Sequence, residues 1–295
     1  MPAMRPLSLF VATFVGFAAP CFFASLSSVA DQPQPLLRPH DRVAIVGGTV
    51  VERMQHSGQL EAQMQTRRPE WKLTVRNLGW SGDDVHGYAR KRFDSPKGGY
   101  ARLLADIELA NPTVVLLAYG FAEASDGEDA VARFSEGLKR LVDHLKQANR
   151  RVILITPFAL PGYKTENYQA LIAQTRQITQ AIGSETDSPV ASIQWEPSGE
   201  QLTADGLCPN EAGFAVLANE LSDALVGGDS QRPSHELREQ IVRKNELFFN
   251  QYRPQNETYL LLFRKHEQGN NAAEIAEFTP LIQSADEKIW QIARP

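Results

Sequence analysis

The sequence predicts an α/β protein, a three-layer α/β/α sandwich around a parallel sheet, and two patterns support this. Apolar strand-like runs alternate with helical stretches of roughly ten to twenty residues, as repeated βαβ units require. Residues 113–118 read TVVLLA, a continuous apolar run that is typical of a strand buried on both faces. We therefore expect right-handed crossovers, and a ligand site at the carboxyl ends of the strands.

The elements follow in order along the chain. The predicted strands cover residues 43–46, 71–78, 113–118, 151–156 and 190–195. The predicted helices cover residues 50–68, 100–110, 129–149, 167–182 and 211–226, and Asp83 and Asp84 can cap a short helix that reaches Tyr88. The loops after the first three strands and the loop at 202–210 then face the same rim of the sheet.

The composition is that of a globular protein with an acidic balance. The chain has 295 residues, of which 42% are apolar and 22% charged, and its formal net charge is −5. Because this charge implies no basic face, nucleic acid is excluded as a main partner.

The first thirty residues have the pattern of a signal peptide. A positively charged start is followed by an apolar stretch, and Ser28-Val29-Ala30 supplies small residues before a cleavage at Asp31. An uncleaved membrane anchor is the alternative. The prediction is export to the periplasm or the extracellular space, with no stable membrane span after cleavage.

Three further segments follow the signal peptide. Residues 31–41 are rich in proline and predict a loose N-terminal arm. Residues 42–228 form the α/β domain, and residues 229–295 form a helical extension rich in aromatic residues. The part at 234–295 is either a docking arm for a partner protein or an extension packed on its own domain, which its apolar side chains favour.

Cysteine and histidine positions restrict the chemistry. After cleavage Cys208 is the only cysteine, so no disulfide can form within the chain. The six histidines are scattered and show no metal-ligand spacing. The sequence therefore predicts neither a metal site nor a cofactor.

A glycine turn ends the first predicted strand. Residues 47–50 read GGTV, so a hydroxyl residue, Thr49, follows Gly47 and Gly48 where a helix begins. Strand, glycine turn, hydroxyl and helix is the arrangement by which an α/β fold holds a nucleophile or an anion-binding amide.

Together with three later stretches, this turn resembles the sequence blocks of the SGNH (GDSL-type) hydrolases. The resemblance covers about residues 42–226. Residues 77–82 read NLGWSG and match the second block closely; residues 120–123 (GFAE) stand for the third, and residues 205–213 (DGLCPNEAG) for the last. The resemblance implies a flavodoxin-like fold that cleaves small-molecule or carbohydrate esters with a serine, a histidine and an aspartate.

Carried over position by position, the resemblance places Thr49 at the nucleophile and Gly79 as an oxyanion amide. Asp205 stands at the aspartate, Cys208 replaces the histidine base, and Ala122 replaces an asparagine donor. A hydroxyl is a weak nucleophile without a base, and loss of a triad member costs about 10⁴ in rate. The other predicted pocket residues lie in the same loops: Gly47, Gly48, Trp80, Ser81, His86, Gly120, Phe121 and Glu123.

Three interpretations remain open. The first is an active ester hydrolase that takes its base from His86, Glu123 or Asp84. The second is a catalytically inactive protein that keeps the pocket for binding, or that docks a partner. The third is a thiol site at Cys208, which would need a cationic neighbour to lower the thiol pKa.

Overall fold

The structure is a computed structural model that describes Met1 and residues 34–93, 95–163, 167–194 and 202–294. The predicted signal peptide, apart from Met1, lies outside the described residues, as do residues 195–201. Among the described residues, no helix is both long and apolar enough to cross a membrane.

Five parallel strands in the described residues form one sheet, in the order β2-β1-β3-β4-β5. β1 lies between β2 and β3, with Val43 beside both Val75 and Val114. The interior position of β1 agrees with its apolar sequence, and the turn that follows it lies at the rim between the ends of β2 and β3. The strands are β1 (Arg42–Gly47), β2 (Thr74–Asn77), β3 (Val114–Ala118), β4 (Arg151–Ile155) and β5 (Val190–Ala191).

The helices occupy both faces of this sheet. Their bounds are α1 (Thr49–Ser57), α2 (Gln59–Arg67), α3 (Pro96–Ala110), α4 (Phe121–Asp126), α5 (Glu128–Gln147), α6 (Tyr168–Glu185), α7 (Glu211–Leu225), α8 (His235–Tyr252), α9 (Glu257–Leu260), α10 (Lys265–Gln268) and α11 (Phe278–Ile292).

Each face of the sheet has its own apolar core, because side chains alternate along a strand. Val43 and Ile45 of β1 belong to the core that α1, α2 and α7 cover. Ala44 and Val46 point the other way, into the core covered by α3, α5 and α8. The predicted three-layer α/β/α fold is confirmed.

The predicted helix at 50–68 is two helices in the structure. The break lies at Gly58, which has a φ of +62° in the left-handed region. A Cβ at Gly58 would lie 3.2 Å from the Arg238 carbonyl oxygen of α8. The apolar spacing continues across the break, which is why the sequence pattern did not show it.

The helical extension packs on its own domain, one of the two predicted arrangements. In α8, the fully buried Lys244 ammonium donates to Glu61 Oε2 (2.6 Å) and to the Val75 carbonyl (2.8 Å). In α11, Trp290 Nε1 donates to the Leu73 carbonyl at 2.9 Å. The extension thus covers the β2 edge of the sheet.

The described part of the predicted N-terminal arm is also packed. The amides of Leu36 and Leu37 donate to the carbonyls of Ala224 and Leu225, at 3.2 and 2.8 Å. Leu37 is buried in the core beneath α7. Its apolar side chain explains why this segment follows the domain surface rather than leaving it.

Candidate active site

Thr49 lies at the first position of α1, directly after the carboxyl end of β1. It is exposed, and its Oγ1 accepts a hydrogen bond of 3.1 Å from the Gly82 amide. Gly47, two residues before Thr49, allows the chain to pass close to β3, because a Cβ on Gly47 would lie 2.4 Å from the Ala118 carbonyl oxygen. Gly48 is buried against the Asp83 backbone. The turn therefore holds a hydroxyl at the rim, as the sequence predicts.

The amide that faces this hydroxyl is that of Gly82, and not that of Gly79. The Gly79 amide is buried and donates to Asn77 Oδ1 at 2.9 Å. A Cβ on Gly79 would lie 2.2 Å from the Glu52 nitrogen of α1, so this glycine serves close packing. The Gly79 amide, predicted as an oxyanion donor, is therefore already paired with Asn77, and the Gly82 amide is the one that contacts the Thr49 hydroxyl.

Thr49, Asp205 and Cys208 line one cleft of about 540 Å³, so the structure brings these three predicted residues together. The cleft lies between α1 and the loop at 202–210. Its other lining residues are Arg53, His56, Ser57, Tyr163, Ala204, Leu207, Pro209, Asn210, Glu211 and Phe214.

Cys208 is half-buried, and burial raises the pKa of its thiol to about 11. The charge of Arg53 offsets this rise in part, and the Asp205 carboxylate adds to it. Asp205 Oδ1 also accepts the amides of Leu207 and Cys208, at 2.8 and 3.1 Å, so it shapes its own loop. At neutral pH the group at the base position is a neutral thiol, which cannot accept a proton from Thr49.

His86 and Asp84, two of the predicted substitute bases, lie outside the lining of this cleft. The His86 ring packs against α5, where a Cβ on Gly137 would lie 2.6 Å from its Cε1. Its Nδ1 lies 3.3 Å from Nη2 of Arg140. Asp84 Oδ1 accepts the amides of His86 and Tyr88, so this carboxylate caps the turn.

Glu123, the third predicted substitute base, joins two loops beneath the rim. Its side chain is 2% exposed; Oε1 accepts the Val85 amide at 2.9 Å and Oε2 the Gly120 amide at 2.8 Å. Burial raises the pKa of this carboxyl to about 7, although the two amides oppose the rise. The carboxyl does not line the cleft of Thr49, and its two hydrogen bonds hold the loops in place.

The other predicted residues of the third block supply no side-chain hydrogen-bond donor. Ala122 is half-buried and has no polar side chain. Phe121 packs edge-on against Phe158, with ring centroids 4.9 Å apart. The described loop after β3 therefore gives no replacement for the asparagine.

Trp80 contacts the extension and Ser81 contacts α1, and neither residue lines the cleft of Thr49. Both the amide and the hydroxyl of Ser81 donate to Glu52, at 2.7 and 2.9 Å. Arg253 donates to Glu52 Oε2 at 2.9 Å, and its guanidinium lies 3.7 Å above the Trp80 ring. Tyr252 donates its hydroxyl to the Gly79 carbonyl at 3.0 Å. The extension thus fixes the loop that carries Gly82.

A buried ion cluster supports the same loop from below. Arg90, which is fully buried, donates to Asp83 Oδ2 and Asp106 Oδ2, both at 2.7 Å, and to the Leu78 carbonyl at 2.6 Å. Tyr119 donates its hydroxyl to Asp83 at 3.3 Å. Burial raises the pKa of Asp83, and the charge of Arg90 opposes this rise. Breaking such a cluster leaves an uncompensated buried charge.

Arg53 and His56 also line the cleft, although neither residue belongs to the four sequence blocks that predicted the site. They follow Thr49 by four and seven residues in α1, and this helical spacing is the signal that could have found them. Seven residues span about 10.5 Å along a helix, so His56 is too far from Thr49 for direct proton transfer. Among the described residues there is no group of three or more metal-ligating side chains.

Comparisons with known proteins agree with this geometry. The family model described as "GDSL-like Lipase/Acylhydrolase family" matches residues 47–216, which is more than half of the chain. A comparison with curated proteins gives no match.

Solved structures share the fold at low sequence identity. A gut microbial diltiazem-metabolizing enzyme is 11% identical, with a TM-score of 0.65 over 90% of this chain and 97% of its own. An acetyl xylan esterase is 16% identical, with a TM-score of 0.51 over 62% and 100% of the two chains. An acetylxylan esterase from Geobacillus stearothermophilus is 18% identical, with a TM-score of 0.51 over 64% and 97%.

Proposed function

Because the chain belongs to the GDSL-like lipase/acylhydrolase family, a family of ester hydrolases, we propose that its cleft binds a small acyl or carbohydrate ester at Thr49 but hydrolyses it slowly. The observation that carries this proposal is the neutral thiol of Cys208 at the base position, while the three candidate substitutes His86, Asp84 and Glu123 do not line the described part of the cleft. The likeness to acetylxylan esterases supports a carbohydrate ester as ligand.

The groups that remain can still hold an ester carbonyl. The first amides of α1 have no partner within the helix, and the Gly82 amide lies 3.1 Å from Thr49 Oγ1. A carbonyl oxygen above Thr49 would therefore meet the backbone donors at the start of α1 that have no partner within the helix. The ester can be bound in an orientation suited to attack even though attack is slow.

The missing groups determine how slow the reaction is. Loss of the asparagine donor at Ala122 removes about 3 kcal/mol of transition-state stabilisation. Loss of the base at Cys208 costs about 10⁴ in rate. The methyl group of Thr49 restricts the hydroxyl further, because β-branched side chains have few χ1 rotamers. Of these three changes, the loss of the base has the largest effect.

The test is hydrolysis of p-nitrophenyl acetate by the purified protein and by Cys208→His. We expect the wild type to lie near the uncatalysed rate and Cys208→His to exceed it at least tenfold. Cys208→Ala is the matched control, since it removes the thiol without adding a base. Thr49→Ala in the Cys208→His background should abolish the gain. A fast wild-type reaction that Thr49→Ala abolishes would contradict the proposal and reveal a base elsewhere.

We also propose that the protein is exported, with residues 42–228 as its hydrolase-like domain and residues 229–295 as its extension. The pattern of residues 1–30 supports export. N-terminal sequencing of the mature protein should begin at Asp31, and a chain that retains Met1 in the membrane fraction would contradict this.

A further inference from the structure

Arg53 brings a positive charge to the cleft. Its side chain is exposed, it lines the cleft with Thr49 and Cys208, and no carboxylate of the described residues forms an ion pair with it. Its charge acts on the Cys208 thiol across the cleft. His56, one turn further along α1, lines the same wall. This wall therefore presents positive charge to whatever enters.

Two carboxylates line the same cleft, those of Asp205 and Glu211, and among the described residues neither forms an ion pair with Arg53. Asp205 Oδ1 accepts two amides of its own loop. Glu211 accepts the Gln59 side-chain amide at 2.8 Å and is paired with Arg238. These bonds leave Arg53 to interact with a group that the ligand brings.

The spacing on α1 sets how far that group lies from the reacting carbonyl. Thr49 and Arg53 are four residues apart, so their Cβ atoms lie about 5–6 Å apart on one face of the helix. A ligand whose carbonyl sits at Thr49 and Gly82 can place a second group near the guanidinium through two to four methylene carbons. A carboxylate suits this position because it accepts both parallel N–H donors of an arginine.

We infer that the cleft selects esters that carry a carboxylate, with Arg53 as the residue that determines this specificity. The inference rests on the proposed function, because it assumes that the cleft binds an ester at Thr49. The ligand class is therefore acidic acyl esters or acidic sugar esters. Neutral acetyl esters lack the carboxylate and fall outside this class.

The experiment compares two ligands that differ only in charge. Monoethyl glutarate carries the carboxylate, and ethyl 4-carbamoylbutanoate carries a neutral amide of the same shape. Their dissociation constants are measured by calorimetry or by titration of NMR shifts on the full protein. Arg53→Gln removes the charge; Arg133→Gln, at an exposed arginine of α5, is the matched control. Thermal unfolding confirms that each variant folds.

The wild type and Arg133→Gln should bind the carboxylate about tenfold more tightly than the amide, as for a charge-assisted hydrogen-bonded pair at a partly exposed site. Arg53→Gln should bring the two ligands to the same affinity, and Arg53→Lys should restore part of the preference. Equal binding of both ligands by the wild type would overturn the inference and leave the proposed function standing. If neither ligand bound at millimolar concentration, both would be overturned.

Discussion

The loop at 79–83 has two sides that differ in how fully their polar groups are paired. Behind it, Asp83 and Arg90 are fully buried and joined by a hydrogen bond of 2.7 Å. In front of it, Thr49 is exposed, and its hydroxyl accepts a hydrogen bond from the Gly82 amide of the loop.

The difference separates the framework of the site from its chemistry. The framework depends on buried charges that cannot be removed singly without a large cost in stability. On the cleft side, the Thr49, Arg53 and Asp205 side chains are exposed and contribute little to folding. A chain can therefore change the group at position 208 from a base to a thiol while the loop keeps its position, and three substitutions test this contrast.

The largest expected effect is that of Arg90→Met. This change leaves Asp83 buried without its partner, and we expect the free energy of unfolding to fall by about 3–5 kcal/mol. Urea denaturation measures it, with Arg133→Met as the control for an exposed arginine. A loss below about 1 kcal/mol would show that the cluster is not what holds the loop.

Glu123 should make the stability depend on pH. Its pKa is raised from 4.5 to about 7 in the folded state, so the native protein binds this proton more tightly than the unfolded chain does. Glu123 therefore contributes fully to the free energy of unfolding below about pH 4.5. This contribution, about 3 kcal/mol, is lost as the pH rises to about 7.

The measurement for Glu123 is urea denaturation between pH 4.5 and 7.5. Other buried carboxyls titrate too, so the quantity of interest is the difference between the wild type and Glu123→Gln. Parallel pH profiles of the two proteins would contradict the assignment of the pKa near 7 to Glu123.

Thr49→Ala should have the smallest effect on stability. It removes one exposed hydrogen bond, and water can replace the lost partner of the Gly82 amide. We expect the free energy of unfolding to change by less than about 0.5 kcal/mol. A loss above about 1.5 kcal/mol would mean that the cleft side contributes to the framework and would remove the contrast.

Much of the fold is readable from the sequence, because strands buried on both faces have unbroken apolar runs. Residues 113–118 predicted β3 within one residue. The break at Gly58 was not predictable, since it depends on the distant α8 backbone. Tertiary contact, and not local propensity, decides such positions.

The candidate site likewise has one part that the sequence predicts and another that depends on contacts between distant residues. The motif at residues 47–50 predicted where Thr49 lies, because the turn is local. The run NLGWSG contains two glycines, and its pattern could not show that the Asn77 side chain takes the Gly79 amide and leaves that of Gly82 facing Thr49. Arg53 lies in the cleft because it follows Thr49 by four residues in α1. A prediction from apolar spacing does not identify such a charged residue.

The hydrogen bonds from Tyr252 and Arg253 to the site loop have a consequence for biosynthesis. A ribosome completes the sheet strands long before it reaches residue 252, and domains fold progressively from the amino terminus. The Gly79 carbonyl and Glu52 receive these partners only from the last fifth of the chain. During translation the sheet can therefore assemble while the loop beside Thr49 still lacks these two anchors. The loop beside Thr49 is then among the last parts of the nascent protein to take its final shape.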